Sequence, residues 1–511
     1  MSYSPGLSSS FNDTRMRSTL LSPQSGMCSF CTAECVGTCE LGLSAVLGAQ
    51  TVYPTNTGDN QVASEKDYPV DFSHFNINGR AFGAVGVEPD SDKATVFNVG
   101  LERTIGRRNP VKLTMPVVLP ALIKLNWKDY FAGAAMAGVC CTIGESAIGK
   151  DPDLETRNGR VSSFPALAVM LDSFRRYARG YGQIVLQCNF EDDSRGVGEY
   201  AVEKCGVEAV EFKFGQSAKG TQPVGRLKGI DAARKKKAAG DIVHPDPDDP
   251  AIVEMEKRGT CPVFYSYGRL PMWTEEYLGE RIGRLRELGL KNVYFKMAGF
   301  DRADLERVLR MASLLEVDMV TFDGAGGGSG CSPCKMMNEW GLPSVCLESE
   351  ICAIAERMVQ QGLVLPSIAL TGGFATEDQV FKALSFGAPY ISAIGLCRAS
   401  MAAANSGKRV GELILEGKVP ERFKQYGSTV SEIFADLPDL RALYGKEADS
   451  FPTGAIGVFS YLNRIAMGLR HFCALNRKFD VSYLSRRDLI PLTSEARALM
   501  HGSWFDWPLC E

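Results

Sequence analysis

Histidine is scarce in this sequence, with four in 511 residues. Acid–base work therefore falls mostly to Lys, Asp, Glu, Tyr or Cys. A charge excess of one sign is missing as well: 56 Lys and Arg stand against 60 Asp and Glu, for a net charge of −4. Without a basic excess, nothing draws the chain to nucleic acid. No run of about 18 apolar residues reads as a membrane span. Residues 1–26 are Ser-rich and polar and lack the apolar stretch of a signal peptide. They read as a flexible tail on a cytoplasmic protein. Arg15 and Arg17 hint at organelle targeting, but Asp13 and the missing amphipathic pattern argue against it.

Cysteine, by contrast, is plentiful, at sixteen residues. Without a secretion signal the thiols stay reduced, and this density points to metal or redox chemistry. Cys188, Cys205 and Cys510 read as small buried hydrophobes. Four others form one run, Cys28-Ser-Phe-Cys31-Thr-Ala-Glu-Cys35-Val-Gly-Thr-Cys39. Closely spaced thiols among small residues can wrap a [4Fe–4S] cluster. Zinc is the competing metal, although it usually takes two separated pairs of cysteines.

Apolar residues make up 45% of the chain, enough for a large core. From about residue 112, short β-rich runs alternate with helical patterns. The predicted strands are 113–119, 139–143, 184–188, 209–213, 293–297, 319–322, 367–371 and 390–394. Helical patterns cover 127–137, 164–179, 199–205, 275–288, 301–315, 348–361, 377–386 and the region near 398–416. Eight βα units predict an α/β fold, a closed (β/α)8 TIM barrel. The alternative, an open doubly wound sheet, calls for a Gly-rich turn after the first strand, which is absent. The domain reading is a tail at 1–26, a Cys-rich cluster-binding region at 27–110, the barrel at 111–418 and a mostly helical C-terminal extension at 419–511. The long connection between Lys213 and Glu275 reads as a binding loop.

Candidate site residues lie at the ends of predicted strands, where barrel enzymes work. Asp323-Gly-Ala-Gly-Gly-Gly-Ser-Gly-Cys-Ser-Pro333 follows the sixth strand. Gly326, Gly327 and Gly328 let its backbone approach a ligand. Gly372 and Gly373 end the seventh strand and Gly395 the eighth, where barrels commonly hold a phosphate. Lys213 ends the fourth strand and Lys296 nearly ends the fifth; each either binds an anion there or is a solvated lysine. Glu145 and Asp323 are acid–base candidates, or else salt-bridged or backbone-capping carboxylates. Arg226 is a candidate carboxylate clamp. Cys331 and Cys334 read as a redox dithiol, a source of a cluster ligand, or inert thiols.

The order of these motifs resembles the central and flavin domains of glutamate synthase. Gly215-Gln-Ser-Ala-Lys-Gly220 is similar to the family's SQGAKPG segment, and His244-Pro-Asp-Pro-Asp-Asp-Pro250 to its proline-rich segment. Asp323 to Pro333 resembles the HDGGTGASP loop, and Val345-Cys-Leu-Glu348 the LGLAE segment. Thr371-Gly-Gly-Phe374 and Ile394-Gly-Leu396 are similar to DGGI and GTAAL, and residues 137–145 to AGTATNSGEGG. The resemblance runs from about residue 100 to 400. It implies bound FMN, its phosphate by Gly372, Gly373 and Gly395 and its ring near Lys213. It also implies substrate contacts at Gln216 and Lys219, with Arg226 and Lys296 as further substrate candidates. The implied reaction is reduction of 2-iminoglutarate to glutamate.

The sequence departs from the family in three places. Only about 110 residues of this sequence stand before the barrel, so glutamine hydrolysis is not expected in this chain, and ammonia or another amine would come from solution or a partner. Only Cys397 stands where the family's cluster ligands follow GTAAL, so a cluster is not expected there, and the Cys28–Cys39 run is the candidate to replace it. The flavin loop carries Cys331 and Cys334 in place of small residues. The expectation is an FMN and iron–sulfur oxidoreductase acting on a small molecule, fed by ferredoxin or an electron-donor subunit, in a homo-oligomer or complex. The alternatives are a reductase or amine-transferring enzyme with another substrate, and a non-catalytic electron-transfer subunit. If the N-terminal run binds a cluster, anaerobically purified protein carries iron and sulfide, and Cys28→Ser loses both. Stoichiometric zinc without sulfide would overturn the assignment.

Overall fold

The computed structural model describes residues 8–9, 15–16, 40–48, 68–123, 125–217, 224–227, 229–260, 264–325 and 340–502. Eight parallel strands close into a barrel. They are β1 (Val117–Leu122), β2 (Cys140–Ile143), β3 (Ile184–Cys188), β4 (Ala209–Lys213), β5 (Asn292–Ala298), β6 (Met319–Asp323), β7 (Ser367–Thr371) and β8 (Ile391–Gly395). The helices that follow them are α1 (Trp127–Ala137), α2 (Pro165–Arg175), α3 (Val197–Cys205), α4 (Glu275–Glu287), α5 (Arg302–Leu314), α6 (Ser344–Gln360), α7 (Glu377–Phe386) and α8 (Arg398–Leu415). The strands are buried because helices cover the outside while side chains fill the inside.

One prediction needs correction. The first barrel strand begins at Val117, not at residue 113. Pro116 has no N–H for a ladder, and Val117 N–H turns back to the Met115 carbonyl at 2.7 Å. Leu113 instead ends a separate antiparallel hairpin, Arg103–Ile105 with Val111–Leu113.

This hairpin seals the bottom of the barrel. Ile105 and Leu113 pack against one inward residue from each strand: Val118, Cys140, Val185, Ala209, Tyr294, Met319, Ala369 and Ala393. Asp318, fully buried just before β6, accepts the backbone N–H groups of Arg107 and Arg108 at 2.9 and 2.8 Å. It also accepts the Val293 N–H at 3.0 Å. One carboxylate thus pins the hairpin turn to the barrel rim.

The long connection after β4 forms a small layer of its own. Val224–Leu227 and Ile242–His244 pair antiparallel with Phe264–Tyr267 between them. Ile230, Ala233 and Phe264 make a separate small core there. On the opposite side of the sequence, Phe75–Ile77 pairs with Leu489–Pro491, so segments before and after the barrel share one two-stranded sheet. The long helix α9 (Thr453–Leu475) packs against α1, α8 and the short helix Glu40–Leu47. Its approach to α8 needs glycine: a Cβ on Gly457 would sit 2.7 Å from the Ala403 carbonyl, and one on Gly407 would sit 2.6 Å from the Thr453 carbonyl. Among the described residues, no helix is long and apolar enough to cross a membrane.

Asp318→Asn is expected to lower the unfolding free energy by about 2–4 kcal/mol, because hydrogen bonds to a buried charge are lost. Urea unfolding measures it. A change below about 0.5 kcal/mol would show that the hairpin is not anchored this way.

Candidate active site

Strand β4 reads Ala-Val-Glu-Phe-Lys. Side chains alternate across a strand, so Glu211 and Lys213 share the inward face while Phe212 joins the outer core. Strand β5 places Lys296 on the same face, in register with Lys213. Two ammonium groups therefore lie on neighbouring strands at the C-terminal end of the barrel, both buried.

Carboxylates surround this pair. Glu145, in the loop after β2, meets Lys213 Nζ at 2.5 Å. Lys213 also donates to Gln216 Oε1 at 3.0 Å. Burial pulls the Lys296 ammonium downward, but Asp323, Glu211 and Glu145 oppose it and hold the group above the ordinary lysine value. Glu211 is pushed up by burial, against the pull of Lys296, Gln187 and Lys213. Gln187 Nε2 donates to Glu211 at 2.5 Å, and its oxygen accepts the Glu145 N–H at 3.4 Å. That one amide links the deep carboxylate to the outer one.

The loop bearing Glu145 is held under strain. Ser146 has φ of 57°, a left-handed value that costs a non-glycine residue about 1 kcal/mol. Its N–H donates to Asp192 at 2.8 Å and its hydroxyl accepts from Asn189 at 3.3 Å. Asp323 has a similar framing duty: it accepts the Ser217 N–H at 3.0 Å, fixing the turn after β4. Thus Glu145 is salt-bridged and Asp323 caps backbone while both face the lysines.

A second corner lies where β7 and β8 end. Gly372 and Gly373 hold φ of 126° and 87°. A Cβ on Gly372 would come within 2.6 Å of Ser344 Oγ, whereas one on Gly373 meets nothing within 4 Å. Gly395 differs: a Cβ there would press on Pro120 and Thr371 at 2.7 and 2.8 Å, so its bareness closes the barrel wall. Helix α8 then begins after Cys397, which provides no side-chain cap. An open turn beside such a helix start suits a phosphate. Burial pushes the Cys397 thiol up, despite Lys296 nearby.

The sequence candidates Lys213, Lys296, Glu145, Asp323 and Gln216 therefore converge. Gly372, Gly373 and Gly395 share one end of the barrel with them. Arg226 lies in the inserted sheet, opposite Tyr265. The calls on Lys219, Gly326, Gly327, Gly328, Cys331, Cys334 and the quartet Cys28, Cys31, Cys35 and Cys39 lie outside the described residues. Among the described residues, no group of three or more His, Cys, Asp or Glu side chains is placed to hold a metal ion. Sequence reading did not assign Glu211 or Gln187 to the site. The signal was present, since Glu211 and Lys213 are two charges spaced two apart in an otherwise apolar strand.

The fold is a parallel βα barrel, and this buried charge cluster is the candidate ligand site at its C-terminal face. Residues 270–407, from before α4 into α8, match the family described as the conserved region in glutamate synthase. A comparison with curated proteins gave no match. Solved structures similar to this chain include the flavin-binding domain of baker's yeast flavocytochrome b2, at 14% identity and TM-score 0.47, covering 83% of this chain and 78% of that one. A mutant of an active chimera of (S)-mandelate dehydrogenase shares 12% identity at TM-score 0.41, covering 82% and 88%.

Lys296→Met is expected to cost about 3–5 kcal/mol, because buried carboxylates lose their cation. The cost should be larger at pH 8 than at pH 5. Glu211 already has a raised folded value, so its ionisation in the folded state opposes folding; stability falls as pH rises from the unfolded carboxylate value, about 4.3, through the folded one. Removing the cation steepens that fall. Denaturant unfolding at both pH values checks this, and a loss independent of pH would refute the coupling.

Proposed function

We propose that this chain is an FMN-dependent oxidoreductase that reduces an imine, such as 2-iminoglutarate formed from 2-oxoglutarate and ammonia. The carrying observation is the buried Lys213–Lys296 pair, ringed by carboxylates, at the same barrel end as the Gly372–Gly373 turn. The glutamate synthase-like segment supports the same reading.

The residues fit the cofactor. Gly373 leaves open space and the uncapped start of α8 offers backbone N–H groups, together a cradle for the FMN phosphate. When bound, FMN supplies a hydride to an unsaturated carbon. The rest is work for the chain's own groups. Lys213, Lys296 and Gln216 bind and orient substrate carboxylates. Lys296 stays cationic because its neighbours hold it above the ordinary value, so it keeps its attraction for an anion at neutral pH. Glu145, part-exposed and paired with Lys213, is the group best placed to hold a proton for the substrate nitrogen and exchange it with solvent. Glu211 lies deeper, joined to the Glu145 backbone through Gln187, and holds both in place.

Cys28, Cys31, Cys35 and Cys39 would hold an iron–sulfur cluster, which would supply electrons taken from ferredoxin or a partner subunit. The Cys331 and Cys334 pair, where the family carries small residues, favours a second reading in which another small molecule is the acceptor.

Anaerobic absorbance separates these readings. Reduced protein should re-oxidise rapidly, followed near about 450 nm, only when 2-oxoglutarate and ammonia are both present. Lys213→Met should slow that step by about a hundredfold or more, as loss of a preorganised charge does. Flavin that stays reduced with both compounds would sink the substrate assignment.

A further inference from the structure

We infer that α9, which lies outside the glutamate synthase-like segment, is a built-in support of the phosphate end of the flavin site, with Tyr461 as a positioning residue. This inference rests on the flavin reading above.

Tyr461 is fully buried, and its hydroxyl donates to the Ala375 carbonyl at 2.6 Å. Ala375 stands two residues beyond Gly373, in the turn assigned to the phosphate. One turn further along α9, Arg464 pairs with Glu377, the first residue of α7, at 3.3 Å. Arg464 also donates to Ser44 Oγ of the helix Glu40–Leu47 at 2.9 Å. Gly468 comes next: a Cβ there would strike the Glu377 side chain at 2.2 Å. Phe472 completes the row, its ring 5.5 Å from that of Phe381 in α7.

Residues 461, 464, 468 and 472 are spaced three and four apart, so they form one stripe of α9. That whole stripe faces the turn after β7 and the helix it leads into. A different part of the same helix meets α8 through Gly454, Gly457 and Gly407. So α9 touches both elements of the phosphate corner. From the other side, Phe374 packs on Phe72, at 5.3 Å between ring centroids. The turn is held between residues from before and after the barrel.

A turn whose backbone must aim N–H groups at an anion gains from this bracing, because misaim costs affinity. Losing the hydroxyl leaves a carbonyl without its donor and releases the turn.

The test compares FMN with riboflavin, which lacks the phosphate, on the full chain and on Tyr461→Phe. The expected result is FMN binding weakened about tenfold, the loss of one buried hydrogen bond, with riboflavin binding unchanged. Phe451→Leu serves as control, since that ring lies before α9 and packs on Tyr177 and Tyr444: it should lower the melting temperature and leave the FMN-to-riboflavin ratio intact. Equal weakening of both flavins in Tyr461→Phe, or no weakening, would overturn the inference and leave the flavin reading standing. If the parent chain binds neither flavin, the flavin reading fails and this inference with it. Hydrogen exchange on the parent gives a second readout that needs no variant. FMN should slow exchange in 372–378 and 459–465 together while riboflavin slows neither; equal slowing by both would count against the inference.

Discussion

Two ammonium groups on adjacent strands inside a barrel repel one another. The repulsion is screened less inside the barrel than it would be in water, and burial adds its own cost. Lys213 and Lys296 tolerate this because Glu211 shares β4 with Lys213 and because Glu145 and Asp323 are brought to them from other places in the chain. The arrangement makes little sense as a device for stability, since buried ion pairs rarely outperform apolar packing. In the proposed function its use is a preorganised field where charge on a ligand is bound and changed.

Much of the rest serves to keep that cluster in place. Apolar side chains fill the lower barrel, and the hairpin pinned by Asp318 seals it, so water is kept from the site's floor. The strained Ser146 turn is held by Asp192 and Asn189, which fixes Glu145. Helix α9 ties the segments before and after the barrel to its walls through close glycine contacts and the buried Arg464–Glu377 pair. The segment that matches the glutamate synthase family model is thus one part of a larger, interlocked chain.

The barrel was readable from the sequence because buried parallel strands are continuous apolar runs, and the helices between them carry their own periodicity. The boundary that failed, at residues 113–116, failed because a β-rich run continued through a proline that breaks the ladder. Lys213, Glu145 and Asp323 were legible as charges at strand ends. Glu211 was not assigned, since a charge in mid-strand reads as a packing exception unless the strand's inward face is known. Gly395 was read as a ligand glycine, and its contacts with Pro120 and Thr371 give it a packing duty that only three-dimensional neighbours reveal. The contact between Tyr461 and Ala375 joins residues far apart in sequence, with no local pattern to announce it.

The central claim is that this barrel end holds a phosphorylated flavin beside paired lysines. Denaturing the purified chain and identifying released flavin by absorbance and mass tests it most directly. The account predicts FMN at close to one equivalent per chain, together with weaker retention when Lys213 is replaced by Met. A chain that releases no flavin, and takes up none when FMN is supplied, would contradict it.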